Sequence, residues 1–139
     1  MESSGLPADF GWVVLVAISS IFMCMWKGFK VGAARKKYEV PYPTMYSDHS
    51  EQFNCIQRAH QNTLENYPQF LVLLVFGGLF APKISAVAGL VWMAGRIMYA
   101  QGYYTGDPEK RMRGAFGYLG LLVLLGNSVL FALRLLGFF

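Results

Sequence analysis

The sequence predicts an all-α integral membrane fold, one domain of four membrane-spanning helices. Three observations lead there. Hydrophobic residues fill 55% of the 139 positions and charged residues only 14%, whereas ordinary globular chains carry about 25% charged residues. The apolar residues fall into four runs, each near the roughly 20 residues that a helix needs to cross a bilayer. The basic residues gather in the short segments between those runs, where orientation signals and anionic-lipid contacts belong. That distribution argues against a nucleic-acid partner despite a net charge of +4. A chain of this length is expected to form one domain. The expected spans are about 10–30, 54–81, 84–104 and 114–137.

Span one is "FGWVVLVAISSIFMCMW", Phe10 to Trp26, followed by Lys27 and Lys30, whose long side chains are expected to snorkel to the interface. The preceding "MESSGLPADF" has no basic start and no short apolar run with a small-residue cleavage site, so it does not read as a removed signal peptide. Span two is harder. "YPQFLVLLVFGGLFA", Tyr67 to Ala81, has 15 residues, too few at 1.5 Å per residue. The polar stretch before it must continue the same helix, with a kink expected at Pro68.

Pro82 and Lys83 mark a tight hinge into span three, "ISAVAGLVWMAGRIMYAQGYY", and the fourth run begins at Gly114. Ser85 with Gly89, and Gly114, Gly117 and Gly120, predict close helix approach. With four spans, the first and third connections share one side. They and the helix ends beside them hold Lys27, Lys30, Arg35, Lys36, Lys37, Arg58, Lys110, Arg111 and Arg113; the other side holds Lys83 and Arg134 with Glu2 and Asp9. The basic side is expected to be cytosolic. Tyr38, Tyr42 and Tyr46 of the first loop read as interfacial belt residues.

The polar stretch carries the functional signal. Arg58, Asn62 and Glu65 are spaced to share one helix face, with Gln61 beside them and His60 on the flank. Span three answers with Arg96, Tyr99 and Tyr103 on one face, Arg96 deep enough to need a partner, Glu65 or Asn62. Arg96 is read as structural. For Arg58 and Glu65 two readings stand: they glue the helices together by satisfying each other, or they bind a small anionic or zwitterionic ligand, arginine taking carboxylate and Glu65 an ammonium group. The protein's own groups offer little chemistry. Cys24 and Cys55 read as apolar filler, no Ser/His/Asp order is present, and His49 with His60 makes a poor metal set, so no metal is expected.

"RAHQNTLEN" from Arg58 to Asn66, with "ARKKYEVPYP" before it and "YAQGYYTGDPEKRMRG" after it, resembles the family of membrane-associated proteins in eicosanoid and glutathione metabolism, over nearly the whole chain. The resemblance implies a homotrimer in the endoplasmic reticulum membrane, with the mitochondrial outer membrane as the alternative location. It implies glutathione as co-substrate, bound between subunits near the cytosolic side among membrane lipids. Glutathione would be held by Arg35, Lys36, Arg58, His60, Asn62, Glu65, Tyr99, Tyr103 and Arg111.

Arg111 and Arg35 would be catalytic, Arg111 activating the thiol. Lys110 competes for that role, because the "TGDPEKR" segment is one residue longer than in relatives. The implied activities are conjugation of lipophilic electrophiles such as leukotriene A4 and reduction of lipid hydroperoxides. Two other classes stay open: a non-catalytic lipid-binding helper of the same fold, like the family's five-lipoxygenase-activating member, and a small channel lined by Arg96 and Glu65.

Overall fold

A computed structural model describes residues 5–139, so Glu2 lies outside the described residues. Among these residues the chain is helical and has no strand. In order come α1 (Phe10–Lys37), α2 (Glu51–Phe80), α3 (Pro82–Tyr104), a 3-10 segment (Pro108–Gly114) and α4 (Gly117–Leu135).

α2 is a single helix of 30 residues. Its start is set by Ser50, whose hydroxyl accepts the Phe53 amide at 3.2 Å, satisfying one of the orphan donors of the first turn. The polar stretch and the short apolar run are thus one element, as the span length required. Pro68 sits inside it without ending it. Ala81 alone separates α2 from α3, and Pro82 opens α3, where its missing amide proton and fixed φ suit the first helical turn.

α1 continues past the expected end near position 30. Arg35, Lys36 and Lys37 occupy its last turn, where cations complement the carboxyl-terminal end of the helix dipole, so these residues are helical and not part of a loop. The helix ends at Lys37 with Tyr38 at its cap. Glu39 then takes a left-handed φ of 55°, and Val40, the residue preceding Pro41, is disfavoured in the helical region. α4 begins three residues later than expected, because Asp107 caps the 3-10 segment by accepting the Glu109 amide at 3.0 Å.

α2 and α3 form a central hairpin, and each packs against both α1 and α4. At mid-height Trp92 stacks on Phe70 with ring centroids 3.9 Å apart, in one buried cluster with Leu74 of α2, Val13 and Val16 of α1 and Leu124 of α4. Glycines allow the closest crossing. A methyl group on Gly95 would lie 2.5 Å from the Gly117 Cα, too near for any real Cβ, so α3 and α4 touch backbone to backbone.

The outward faces are as apolar as the interior. Phe22 on α1 is 63% exposed and Leu119 on α4 is 65% exposed, and both have many apolar neighbours along their helices. Patches of this extent are covered by lipid or a partner chain. α1 and α4 are each long and apolar enough to cross a membrane.

Candidate functional site

The Arg58, Asn62 and Glu65 stripe sits on the amino-terminal half of α2, and its two charged members bond directly. Arg58 donates Nη1 to Glu65 Oε1 at 2.7 Å and Nη2 to Oε2 at 2.8 Å, the forked geometry that arginine and carboxylate favour. The side chains are 33% and 55% exposed, so both are open to a ligand. A longer contact of 3.4 Å runs from Arg58 to the Tyr46 hydroxyl. Arg58 also lines a cavity of about 260 Å³ with Glu51, Asn54, Cys55, Tyr103 and Pro108. Arg111 is not among the lining residues; within the same 3-10 segment it donates at 2.8 Å to the carbonyl of Pro108, which is one of them. Lys110 is exposed.

One turn deeper the polar groups are buried. Arg96, 4% exposed, donates Nη2 to Asn62 Oδ1 at 2.6 Å and shares the Thr63 hydroxyl through Nε at 3.1 Å and Nη2 at 3.0 Å. Its partner is therefore Asn62 and not Glu65, which Arg58 already holds. The Tyr99 ring lies under the Arg96 guanidinium at 4.1 Å, and Tyr99 meets Tyr103 edge to face at 5.2 Å. Tyr103 is buried.

Lys27 corrects an expectation. It does not snorkel: it is fully buried, donating to Thr63 Oγ1 at 2.6 Å and to the Arg96 carbonyl at 3.0 Å. The reason is its register. Val13, Val16, Ser20, Met23, Lys27, Val31 and Ala34 are the buried positions of α1, spaced at three and four residues, so Lys27 points inward with them. That pattern was available in the sequence; the single charge at the end of an apolar run masked it.

Arg35 and Lys36 lie elsewhere. They line a second cavity of about 750 Å³ with Gly28, Phe29, Val40 and Tyr42. Arg35 is braced there by the Val40 and Thr44 carbonyls at 3.2 and 2.8 Å, and its guanidinium stacks on Tyr42 at 4.2 Å. His60 points to this side too, its Nε2 3.6 Å from where a Cβ on Gly28 would be. The expected site residues thus form two groups in one chain: Arg58, Asn62, Glu65, Tyr99, Tyr103 and Arg111, and separately Arg35, Lys36 and His60. Tyr42 and Tyr46, read as belt residues, each touch a site arginine, while Tyr38 meets Lys37 at 5.3 Å.

Comparison with known proteins bears on what such a face is for. A family model described as the MAPEG family matches residues 13–133. An uncharacterised protein of Synechocystis is 38% identical over 121 residues, 86% of each chain. Microsomal glutathione S-transferase 2 of Homo sapiens is 37% identical over 120 residues, covering 82% of this chain and 80% of that one. Leukotriene C4 synthase of Bos taurus is 30% identical over 89 residues, 63% of this chain and 58% of the other. The motif resemblance, nearest to microsomal glutathione S-transferase 3, agrees with these relatives on the family.

Proposed function

This chain belongs to the MAPEG family, and from that membership we propose that it is a membrane glutathione transferase and peroxidase acting on lipophilic electrophiles. The observation that carries the reading is the exposed, forked Arg58–Glu65 pair. An exposed ion pair contributes little to folding, so a ligand can divide it at small cost. The γ-glutamyl end of glutathione is a zwitterion: its carboxylate replaces Glu65 on Arg58, and its ammonium replaces Arg58 on Glu65. Relatives named glutathione S-transferase and leukotriene C4 synthase support the ligand.

The reaction needs the thiolate. A cysteine-type thiol has a pKa of about 8.5, and each unit of lowering requires about 1.36 kcal/mol of preference for the anion. Arg111, bonded to the carbonyl of Pro108 beside the Arg58 and Tyr103 cavity, is the cation we assign to that task. With an epoxide such as leukotriene A4, sulfur bonds to a ring carbon, the C–O bond opens and the alkoxide takes a proton. With a hydroperoxide, sulfur takes the terminal oxygen and the alcohol leaves. A second glutathione then displaces water from the sulfenic acid, giving the disulfide.

Arg35, Lys36 and His60 enter through assembly. In one chain Arg35 and Lys36 face a different cavity from Arg58 and His60 lies against Gly28 beside it, and a homotrimer would bring one subunit's second cavity against its neighbour's first. The apolar outer faces of α1 and α4 would then meet lipid and neighbouring subunits. We assign four membrane spans, the basic connections on the cytosolic side, and residence in the endoplasmic reticulum membrane.

Purified protein in detergent, titrated with glutathione, should develop the ultraviolet absorbance of a thiolate. It should then consume a lipid hydroperoxide or leukotriene A4 in parallel assays. Glutathione binding with neither reaction would refute the enzyme. No thiolate signal at saturating glutathione would favour the lipid-binding helper, in which Arg58 and Glu65 simply satisfy each other, as they do here.

A further inference from the structure

Beneath the exposed pair lies a polar cluster that neither binding nor thiol activation uses. The Thr63 hydroxyl is its hub. It donates to the Ala59 carbonyl at 3.0 Å and accepts from Lys27 and from two nitrogens of Arg96. The Lys27 amine and the Arg96 guanidinium thus converge on one oxygen, with Lys27 and Thr63 fully buried and Arg96 4% exposed. The ion pairs among the described residues are Arg58–Glu65 and Lys83–Asp9, so no carboxylate bridges to either group. A buried guanidinium beside a buried amine, held only by neutral acceptors, is expensive, and such cost is usually carried for a purpose.

The consequence falls on Asn62. Arginine has donors and no acceptor, so the Asn62 atom 2.6 Å from Arg96 Nη2 must be the carbonyl oxygen. That leaves the NH2 group as what Asn62 can offer to the face it shares with Arg58 and Glu65. We propose that Lys27, Thr63 and Arg96 are positioning residues that lock the Asn62 amide, so that Asn62 meets glutathione only as a hydrogen-bond donor. Lys27 holds both ends of the arrangement, bonding the side chain of Thr63 and the backbone of Arg96. The proposal rests on the glutathione reading above.

Three variants of the full-length, detergent-purified protein test it, with glutathione binding at equilibrium and steady-state kinetics against a lipid hydroperoxide as readouts. Asn62→Asp keeps an acceptor for Arg96 and removes the NH2 donor. Its melting temperature should hold or rise while glutathione binding weakens at least about ten-fold. Arg96→Lys keeps the charge but loses the fork, and should raise KM for glutathione about ten-fold with kcat retained. Lys27→Met removes only the ammonium and should raise KM about three-fold.

If Asn62→Asp binds glutathione as tightly as the native protein, Asn62 is glue and the proposal fails. Native KM in a folded Lys27→Met protein removes Lys27 from the set. Should Arg96→Lys not fold, Asn62→Asp still decides, since a carboxylate against the Arg96 guanidinium favours folding. Failure of the native protein itself to bind glutathione overturns the functional reading and this inference together; native binding with unchanged variants overturns the inference alone.

Discussion

Arg58 and Arg96 are two arginines within one polar region, and they are held in opposite ways. Arg58 has a full-charge partner, Glu65, and is a third exposed. Arg96 has no carboxylate; it is held by the Thr63 hydroxyl, the Asn62 amide and the Tyr99 ring, and is 4% exposed. The well-paired arginine is the one a ligand can reach, and the poorly paired one is sealed away. In water an ion pair is cheap to open; in the interior even a neutral acceptor is costly to lose. The exchangeable contact is therefore the exposed one, and the buried cluster is the scaffold that holds it in place.

Thr63→Val should break the scaffold side of that comparison most severely. The substitution keeps the shape but takes an acceptor from the buried Lys27 amine and the Arg96 guanidinium at once. We expect a stability loss of about 3 to 5 kcal/mol, read as a lower melting temperature of the detergent-purified protein, with Thr63→Ser close to native. A native-like Thr63→Val protein would mean that water or another group serves Lys27 and Arg96, and that Thr63 is no hub.

The exposed side should respond in the other sense. Arg58→Ala should weaken glutathione binding at least about a hundred-fold, because charge-assisted forked bonds to the ligand carboxylate are lost. The melting temperature and oligomeric state should stay near native. Glu65→Gln should act in the same direction through the ammonium group. Collapse of assembly in either variant, with binding kept by the remaining folded protein, would reverse the assignments and make the exposed pair the glue.

Much of this contrast could be read from residue spacing. The i, i+4, i+7 positions of Arg58, Asn62 and Glu65 placed them on one face before any coordinates, and the 15-residue length of the second apolar run required the polar stretch to be helical. The depth of Arg96 in its span requires a partner, Asn62 or Glu65. The choice between them could not be made, because it depends on how α2 and α3 rotate against each other across the Trp92–Phe70 stack.

Other features lay hidden for physical reasons. The register of α1 turns Lys27 inward with Val13, Val16, Ser20, Met23 and Val31. The groups that receive it there, the Thr63 hydroxyl and the Arg96 carbonyl, lie on other helices and cannot be read from α1 alone. The separation of Arg35 and Lys36 from Arg58 is set by the path of loop one, where Arg35 grips the Val40 and Thr44 carbonyls, and spacing says nothing of that path. The tyrosines of the same loop could not be sorted into belt and site for the same reason.

Tyr46 offers the finest cut through the comparison, since it touches the exposed arginine without pairing its charge. Its hydroxyl is 3.4 Å from Arg58 Nη1, at the outer limit of a hydrogen bond, where the interaction is weak. Arg58 keeps both Glu65 bonds without it. Tyr46→Phe should therefore change glutathione binding by no more than about two-fold and leave the melting temperature unchanged. A loss as large as that of Arg58→Ala would mean that the hydroxyl meets the ligand itself. Loop one would then be a wall of the binding site and not only the brace beside it.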